Sequence, residues 1–227
     1  VRVFEKIPRS VTSLNLRNNG LGERSGDELR QALAKVSLNV TSLNLSLNGL
    51  CNVSGAALKQ AFTAIPLGVT SLDLRWNYLD QKSGDELGQA LAGIPLGVTS
   101  LNFSNNKLNQ KSGIELAGAL TKIPPHVTSL KLLDNNLNKL SLEDLQHLQG
   151  SLPAIKTLYV SYREISDILG DQREAFKKIF PNLENTIFID NEDNTMGGNN
   201  PTARYNIAKK LGFPMPFPSL TAQAARF

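Results

Sequence analysis

The 227-residue sequence contains a single cysteine, Cys51, so no disulfide can form within the chain. A reducing compartment is therefore the natural expectation. No apolar stretch approaches the roughly 20 residues that a membrane-spanning helix needs. The N-terminus also lacks the charged and then apolar pattern of a secretory signal peptide. The sequence therefore predicts neither membrane insertion nor a classical secretion signal.

Charge of one sign is also scarce, because 24 Lys and Arg stand against 20 Asp and Glu and the two signs are interleaved. Nucleic-acid binding needs a concentrated basic stripe, so it is not expected. The two histidines, His126 and His147, have no Cys, Asp or Glu at metal-like spacing around them. No metal and no cofactor are predicted. Aromatic residues make up only 6% of the chain, which predicts a core of Leu, Ile, Val and Ala.

The dominant feature of the sequence is a 29-residue repeat. The tetrapeptide VTSL begins at Val11, Val40, Val69, Val98 and Val127, with the same spacing each time. A constant period over five copies is typical of a solenoid, in which each unit packs on its neighbours. One elongated domain is therefore expected.

Each repeat begins with a strand pattern. In the first copy, Leu14 and Leu16 flank Asn15, which gives the period of two of a strand with one buried face. An asparagine follows each strand at the same position, where its amide can satisfy backbone groups of adjacent turns. These structural asparagines are Asn19, Asn48, Asn77, Asn106 and Asn135.

Each repeat continues with a helix pattern. Ser25, Ser83 and Ser112 each precede a Glu by three residues, which is a capping box and predicts a helix start. Leu87, Ala90, Leu91 and Ile94 then follow the i, i+3, i+4, i+7 spacing of one buried helical stripe. Prolines after the apolar stripe, as in IPLG and IPPH, end these helices.

The combined unit, VTSLxLxxNxL followed by SGxELxxALxxIPxG, resembles the leucine-rich repeat of the long, ribonuclease-inhibitor-like type. The resemblance implies an α/β solenoid, a curved horseshoe of seven repeats with roughly 28–29 residues in each. Its parallel sheet would form the concave face and its helices the convex face. The near-identical VTSL, SGDEL and IPLG blocks further resemble leucine-rich-repeat effectors that intracellular bacterial pathogens inject into host cells.

The repeat pattern weakens toward the C-terminus. Residues 155–160 and 185–189 are predicted to be the sixth and seventh strands, with Arg163 and Glu192 replacing the asparagine. Asp171–Phe180 is predicted to be a helix, and so is Pro201–Leu211, with Asn200 as its N-cap and Gly212 as its stop. We interpret residues 1–190 as the repeat domain. Residues 191–227 form a C-terminal cap in which Phe213 and Phe217 cover the last repeat, unless the proline-rich end instead binds a partner.

The outward residues of the strands are the candidate binding surface. Most are small and polar, so we expect Trp76, the only Trp, to mark a binding patch with its neighbours. A second, more aromatic group lies toward the C-terminus and also includes Phe188 in the predicted rows. Ordinary packing between repeats would explain either group, and the cap could cover the second. The candidates are Leu47, Asp73, Arg75, Trp76 and Asn105, and then Lys131, Leu133, Tyr159 and Tyr162.

These features favour a non-catalytic module that binds a protein through its concave face. The effector resemblance implies a protein that is secreted by a bacterium, binds a host protein and acts in the host cytoplasm; a cytoplasmic protein is the alternative. We expect a monomer. A GTPase-activating role would have to use Arg17, Arg75 or Arg163. Nucleophilic catalysis at Cys51 is not expected, because neither histidine is at a related repeat position.

Overall fold

The structure is a computed structural model that describes residue 8 and residues 10–215. Its seven strands form one open parallel sheet whose spatial order follows the chain, from β1 at one edge to β7 at the other. The strands are β1 Ser13–Asn15, β2 Ser42–Asn44, β3 Ser71–Asp73, β4 Ser100–Asn102, β5 Ser129–Lys131, β6 Thr157–Ser161 and β7 Asn185–Ile189.

The constant repeat length determines the strand register. Ser42 pairs with Ser71 and Leu43 with Leu72, so equivalent residues of neighbouring repeats lie side by side. The two leucines of the strand pattern, such as Leu72 and Leu74, are fully buried, while Asp73 between them faces away from the core. We call the outward side of the sheet, on the side of Asp73, the strand face.

A helix covers the other side of the sheet in each repeat. The helices are α1 Gly26–Ala34, α2 Gly55–Thr63, α3 Gly84–Leu91, α4 Gly113–Leu120, α5 Leu142–His147, α6 Tyr162–Asp167, α7 Gly170–Lys177 and α8 Pro201–Leu211. The predicted starts are confirmed, because the hydroxyls of Ser25, Ser83 and Ser112 all cap their helices. Ser141 and Asp144 form a further capping box that was not predicted.

Short 3-10 helices join strands to helices and were not predicted. They span Leu21–Glu23, Leu50–Asn52, Leu79–Gln81, Leu108–Gln110 and Leu137–Lys139. The residue before each one has a left-handed backbone, and in the third repeat this residue is Tyr78. The chain thus turns sharply off the strand and delivers Leu79, or its equivalent, into the core.

The last units depart from the regular pattern. The predicted helix Pro201–Leu211 is confirmed as α8, capped by Asn200 and ended at Gly212. The ring of Phe213 lies 6.1 Å from that of Phe176 and 5.7 Å from that of Phe188, so it packs over the final strand. Phe217 lies outside the described residues.

The predicted placement of Phe188 on the strand face is wrong. Ile187, not Phe188, pairs with Tyr159, and Phe188 is only 3% exposed. The core position of β7 is filled by Thr186, which stands beside Leu158. Because a threonine occupies the leucine position, the apolar residues of β7 suggest an alternation that is shifted by one residue from the actual register. Within residue 8 and residues 10–215, no helix is long and apolar enough to cross a membrane.

Candidate functional site

The asparagine row forms a hydrogen-bonded ladder beneath one edge of the strand face. The Oδ1 of Asn77 accepts from the backbone N–H of Asn48 at 2.9 Å, and the Oδ1 of Asn106 accepts from that of Asn77 at 3.0 Å. The Nδ2 of Asn77 donates to the carbonyls of Leu45, Leu74 and Arg75. Each internal asparagine thereby satisfies backbone groups of two repeats, as predicted.

The ladder ends at Glu164, and the prediction that Arg163 takes the asparagine position is wrong. Oε1 of Glu164 accepts from the backbone N–H of Asn136, one residue beyond the Asn135 N–H that the ladder pattern would supply. Glu164 is 8% exposed, and its second oxygen, Oε2, is buried without a hydrogen-bond partner among the described residues. Burial raises the pKa of Glu164 to about 7, and the charge of Asp134 also raises it, while backbone N–H groups oppose the shift.

A row of left-handed residues stands directly after the strands. It comprises Asn18, Leu47, Trp76, Asn105 and Asp134, with φ angles of 52–59°. Asn and Asp adopt this conformation readily, but a bulky residue such as Trp76 does so at a cost. Trp76 nonetheless remains 40% exposed. A strained, exposed tryptophan is a reasonable starting point for a functional site.

Asp73 and Arg75 act together rather than as separate binding groups. Nε of Arg75 lies 3.0 Å from Oδ2 of Asp73, and Oδ1 of the same carboxylate accepts from the backbone N–H of Arg75 at 3.0 Å. The pair therefore neutralises much of the charge that the sequence led us to expect at Arg75.

Trp76 and Asn105 border a polar cleft of about 480 Å³, which we call the Trp76 cleft. It extends from Trp76 across the turns of the following repeats to α6. Its remaining lining residues are Lys107, Asp134, Asn136, Asn138, Lys139, Ser161, Arg163, Glu164, Asp167 and Asn191. Of the nine predicted binding residues, only Trp76 and Asn105 line it.

The charged groups of the Trp76 cleft are of both signs. Lys107 stands over the ring of Tyr78, with its Nζ 5.3 Å from the centroid. Asp134 lies 3.5 Å from the Nδ2 of Asn105. Ion pairs are formed elsewhere among the described residues, but none joins two lining residues of this cleft. Its charges thus stay available to a polar partner.

The second predicted group is split by the structure. The Nζ of Lys131 lies 4.8 Å from the ring centroid of Tyr159, and both side chains sit side by side on the strand face. Leu133 is half-buried next to them, where its N–H donates to Ser104 Oγ. Tyr162 belongs to α6 and packs edge-on against Phe188 at 6.3 Å, so it supports the core rather than the surface.

Two buried lysines form a second, unpredicted ladder. The Nζ of Lys82 donates to the carbonyls of Cys51 and Val53, and the Nζ of Lys111 donates to those of Asp80 and Lys82. Desolvation lowers the pKa of Lys82. Because each ammonium donates its hydrogen bonds to carbonyls of the preceding repeat, these lysines contribute to packing between repeats rather than to binding.

The sequence did contain a signal for Glu164. Counting one 29-residue repeat from Asn135 gives Glu164. Counting from the first buried leucine of the sixth strand, as in the earlier repeats, gives Arg163 instead. The other missed lining residues, such as Lys107 and Lys139, belong to turns that carry no motif of their own. Among the described residues, no group of three or more His, Cys, Asp or Glu could hold a metal ion.

Parallel strands, asparagine ladder and repeating helices together define the class: the chain belongs to the leucine-rich repeat proteins. It is similar to the leucine-rich repeat-containing protein LegL7 from Legionella pneumophila, with 35% identity and a TM-score of 0.71. The similarity covers 92% of this chain and 75% of LegL7. No protein-family profile matches the chain, and no curated protein does. The resemblance seen in the repeat motifs is thereby confirmed.

Proposed function

We propose that the protein is a non-catalytic protein-interaction module whose partner binds the strand face at the Trp76 cleft. The observation that carries this proposal is Trp76 itself. It is held in a left-handed conformation, it is 40% exposed, and it stands at the end of a cleft with unpaired charges. Tryptophan is among the residues most enriched in interface hot spots.

Replacing Trp76 with Ala tests this proposal. Truncating a hot-spot residue costs at least about 2 kcal/mol, which corresponds to a loss of affinity of about thirtyfold. Partners are first crosslinked and identified from host-cell lysate, and the affinity of a purified partner is then measured by calorimetry. Leu96→Ala is the matched control, because Leu96 is a large exposed residue on a loop away from the cleft.

Both variants must keep the circular dichroism spectrum of the parent protein, since a folding defect would mimic lost binding. Equal affinity of the Trp76→Ala and Leu96→Ala proteins would remove the cleft from the binding site. If only Lys131→Ala and Tyr159→Ala weaken binding, the interface lies instead on the aromatic part of the strand face.

The finer proposal is that the module is a bacterial effector that acts on a host protein in the host cytoplasm. Two observations support it: the VTSL, SGDEL and IPLG blocks, and the similarity to a Legionella pneumophila protein. A reporter fusion expressed in that bacterium should give a signal in the cytosol of infected cells. A signal confined to the bacteria would contradict delivery and leave the binding proposal intact.

A GTPase-activating role is the alternative function. It needs a free arginine, and the Asp73 pair leaves Arg75 poorly suited to it. Arg163 is exposed at the cleft and would be the candidate. Stimulated GTP hydrolysis by a small GTPase that is lost in Arg163→Ala would favour this alternative over simple binding.

A further inference from the structure

The asparagine ladder changes its chemistry at its last rung. Four asparagines, Asn48, Asn77, Asn106 and Asn135, each use Nδ2 to donate to three backbone carbonyls. Glu164 occupies the next position along the ladder, and its Oε1 also accepts a backbone N–H of the preceding repeat, that of Asn136 rather than that of Asn135. A carboxylate has no hydrogen to donate, so its Oε2 cannot do what the amide nitrogen does.

A protonated carboxyl group differs from a carboxylate in this respect. It offers one O–H donor and keeps an acceptor oxygen, which is the combination that an asparagine side chain presents to the ladder. In the structure Oε2 is buried and has no partner among the described residues. A buried, unpaired oxygen is costly when charged and far less so when it carries a proton that can be donated.

The position of Glu164 connects this rung to the Trp76 cleft. Glu164 lies in α6, which contacts β6 and the 3-10 helix Leu137–Lys139. Its partner N–H belongs to Asn136, another lining residue of the cleft. The hydrogen bond between them therefore joins the two walls at the C-terminal end of the cleft.

We propose that protonation of Glu164, the last residue of the ladder, regulates the Trp76 cleft. With a proton on Oε2, the side chain is neutral, and its Oε1 holds α6 against the turn at Asn136. Without the proton, a negative charge is buried beside Asp134 and the contact loosens. This inference concerns the regulation of the proposed binding site and rests on that proposal for its purpose.

Charged and titratable groups surround Glu164 on each packed element. Asp134 and Lys139 flank it from the turn and the 3-10 helix, and Lys107 lines the cleft from the preceding repeat. β6 contributes Tyr159, whose ring is engaged by Lys131. α6 itself contributes Arg163 and Asp167, and Arg173 of α7 donates to the carbonyls of Ser166 and Ile168. Only Asp134 contributes appreciable charge interaction with Glu164, and it has the same sign.

The direction of the effect follows from the raised pKa of Glu164. The closed arrangement binds the proton more tightly than an opened one, in which the carboxyl has its usual pKa of 4.5. The closed arrangement is therefore favoured at low pH, weakens as the pH rises toward 7, and levels off above it. Between pH 6 and pH 8, the opening equilibrium should increase about tenfold.

Amide hydrogen exchange of the whole chain tests the proposal without any partner. After correction for intrinsic rates, protection of the Asn136 N–H and of the amides of α6 should fall about tenfold from pH 6 to pH 8. The N–H groups of Asn48, Asn77 and Asn106, which are held by asparagine side chains, serve as internal controls and should not change.

Glu164→Gln is the decisive variant, because glutamine carries a permanent amide donor and no charge. It should keep high protection at both pH values, whereas Glu164→Ala should lose protection at both. Protection in the parent protein that does not vary with pH would overturn the proposal. So would a pH dependence that persists unchanged in Glu164→Gln. Neither result depends on Trp76, so failure here is distinguishable from failure of the proposed binding function.

Discussion

The asparagine ladder makes a quantitative prediction for Asn77→Ala. The Asn77 side chain is fully buried and accepts from the N–H groups of Asn48 and Leu50 at 2.9 and 3.3 Å. Its removal leaves two buried donors unpaired, each costing about 1–3 kcal/mol. The carbonyls that it served have other lone pairs and contribute less. We therefore expect a loss of about 4 kcal/mol in the free energy of unfolding.

Asn19→Ala is the matched control at the open end of the same ladder. Asn19 is exposed, and among the described residues its side chain makes one hydrogen bond, from Nδ2 to the carbonyl of Arg17 at 3.0 Å. Its loss exposes the partner to water rather than burying it unpaired, so the expected cost is below about 1 kcal/mol. The two substitutions delete the same atoms, so the difference between them measures the buried hydrogen bonds that Asn77 makes and Asn19 does not.

Urea unfolding followed by circular dichroism measures both variants against the parent protein. Repeat proteins can unfold in parts, so the dependence of stability on urea must be compared as well as the midpoint. Similar slopes would show that the variants expose the same amount of surface on unfolding. If Asn77→Ala costs no more than Asn19→Ala, the ladder does not stabilise the solenoid and the reasoning fails.

Three further substitutions test a buried lysine and the space around two glycines. Lys82→Leu should lower the free energy of unfolding by about 1–3 kcal/mol, because the carbonyls of Cys51 and Val53 lose their donor. Val53 fills the equivalent position one repeat earlier; an unchanged free energy of unfolding in urea would show that the lysine contacts do not stabilise the fold. Gly97→Ala should lower the melting temperature, because an added Cβ would lie 2.0 Å from the carbonyl oxygen of Leu67. Gly118→Ala, where nothing lies within 4 Å, should stabilise α4 by about 0.5–1 kcal/mol, and equal effects of the two glycine substitutions would contradict this account.

The sequence was sufficient to predict the regular part of the fold, because one repeat period determines several structural features together. Strand register, ladder contacts and helix caps all recur with the same period, so one motif predicts them together. In the last units the strands and the ladder no longer share one spacing. Ser129 pairs with Thr157, so the sixth strand comes one position early, while the ladder still advances by a full repeat from Asn135 to Glu164. A single pattern could not describe both spacings, and the ladder residue was missed.

The binding site was only partly predictable for a different reason. Strand alternation predicts the outward positions of Asp73 and Arg75, whereas Trp76 and Asn105 were predicted as residues directly beyond that alternation, and Trp76 because it is the only Trp. The rest of the Trp76 cleft comes from turns and from α6, whose placement depends on how the final repeats pack. The Asp73–Arg75 ion pair likewise depends on side-chain conformation, and no spacing in the sequence distinguishes a paired arginine from a free one.

The direction of the ladder has a consequence for how arrays of this kind change in length. Each asparagine serves the repeat before it, so an internal unit is interchangeable with its neighbours. Excision of residues 69–97 would join Gly68 to Val98 and restore an uninterrupted IPLGVTSL junction. Duplication of the same stretch would lengthen the solenoid by one rung. The asparagine contacts end at Glu164, so only a unit before Glu164 can be excised or copied with its ladder contacts intact.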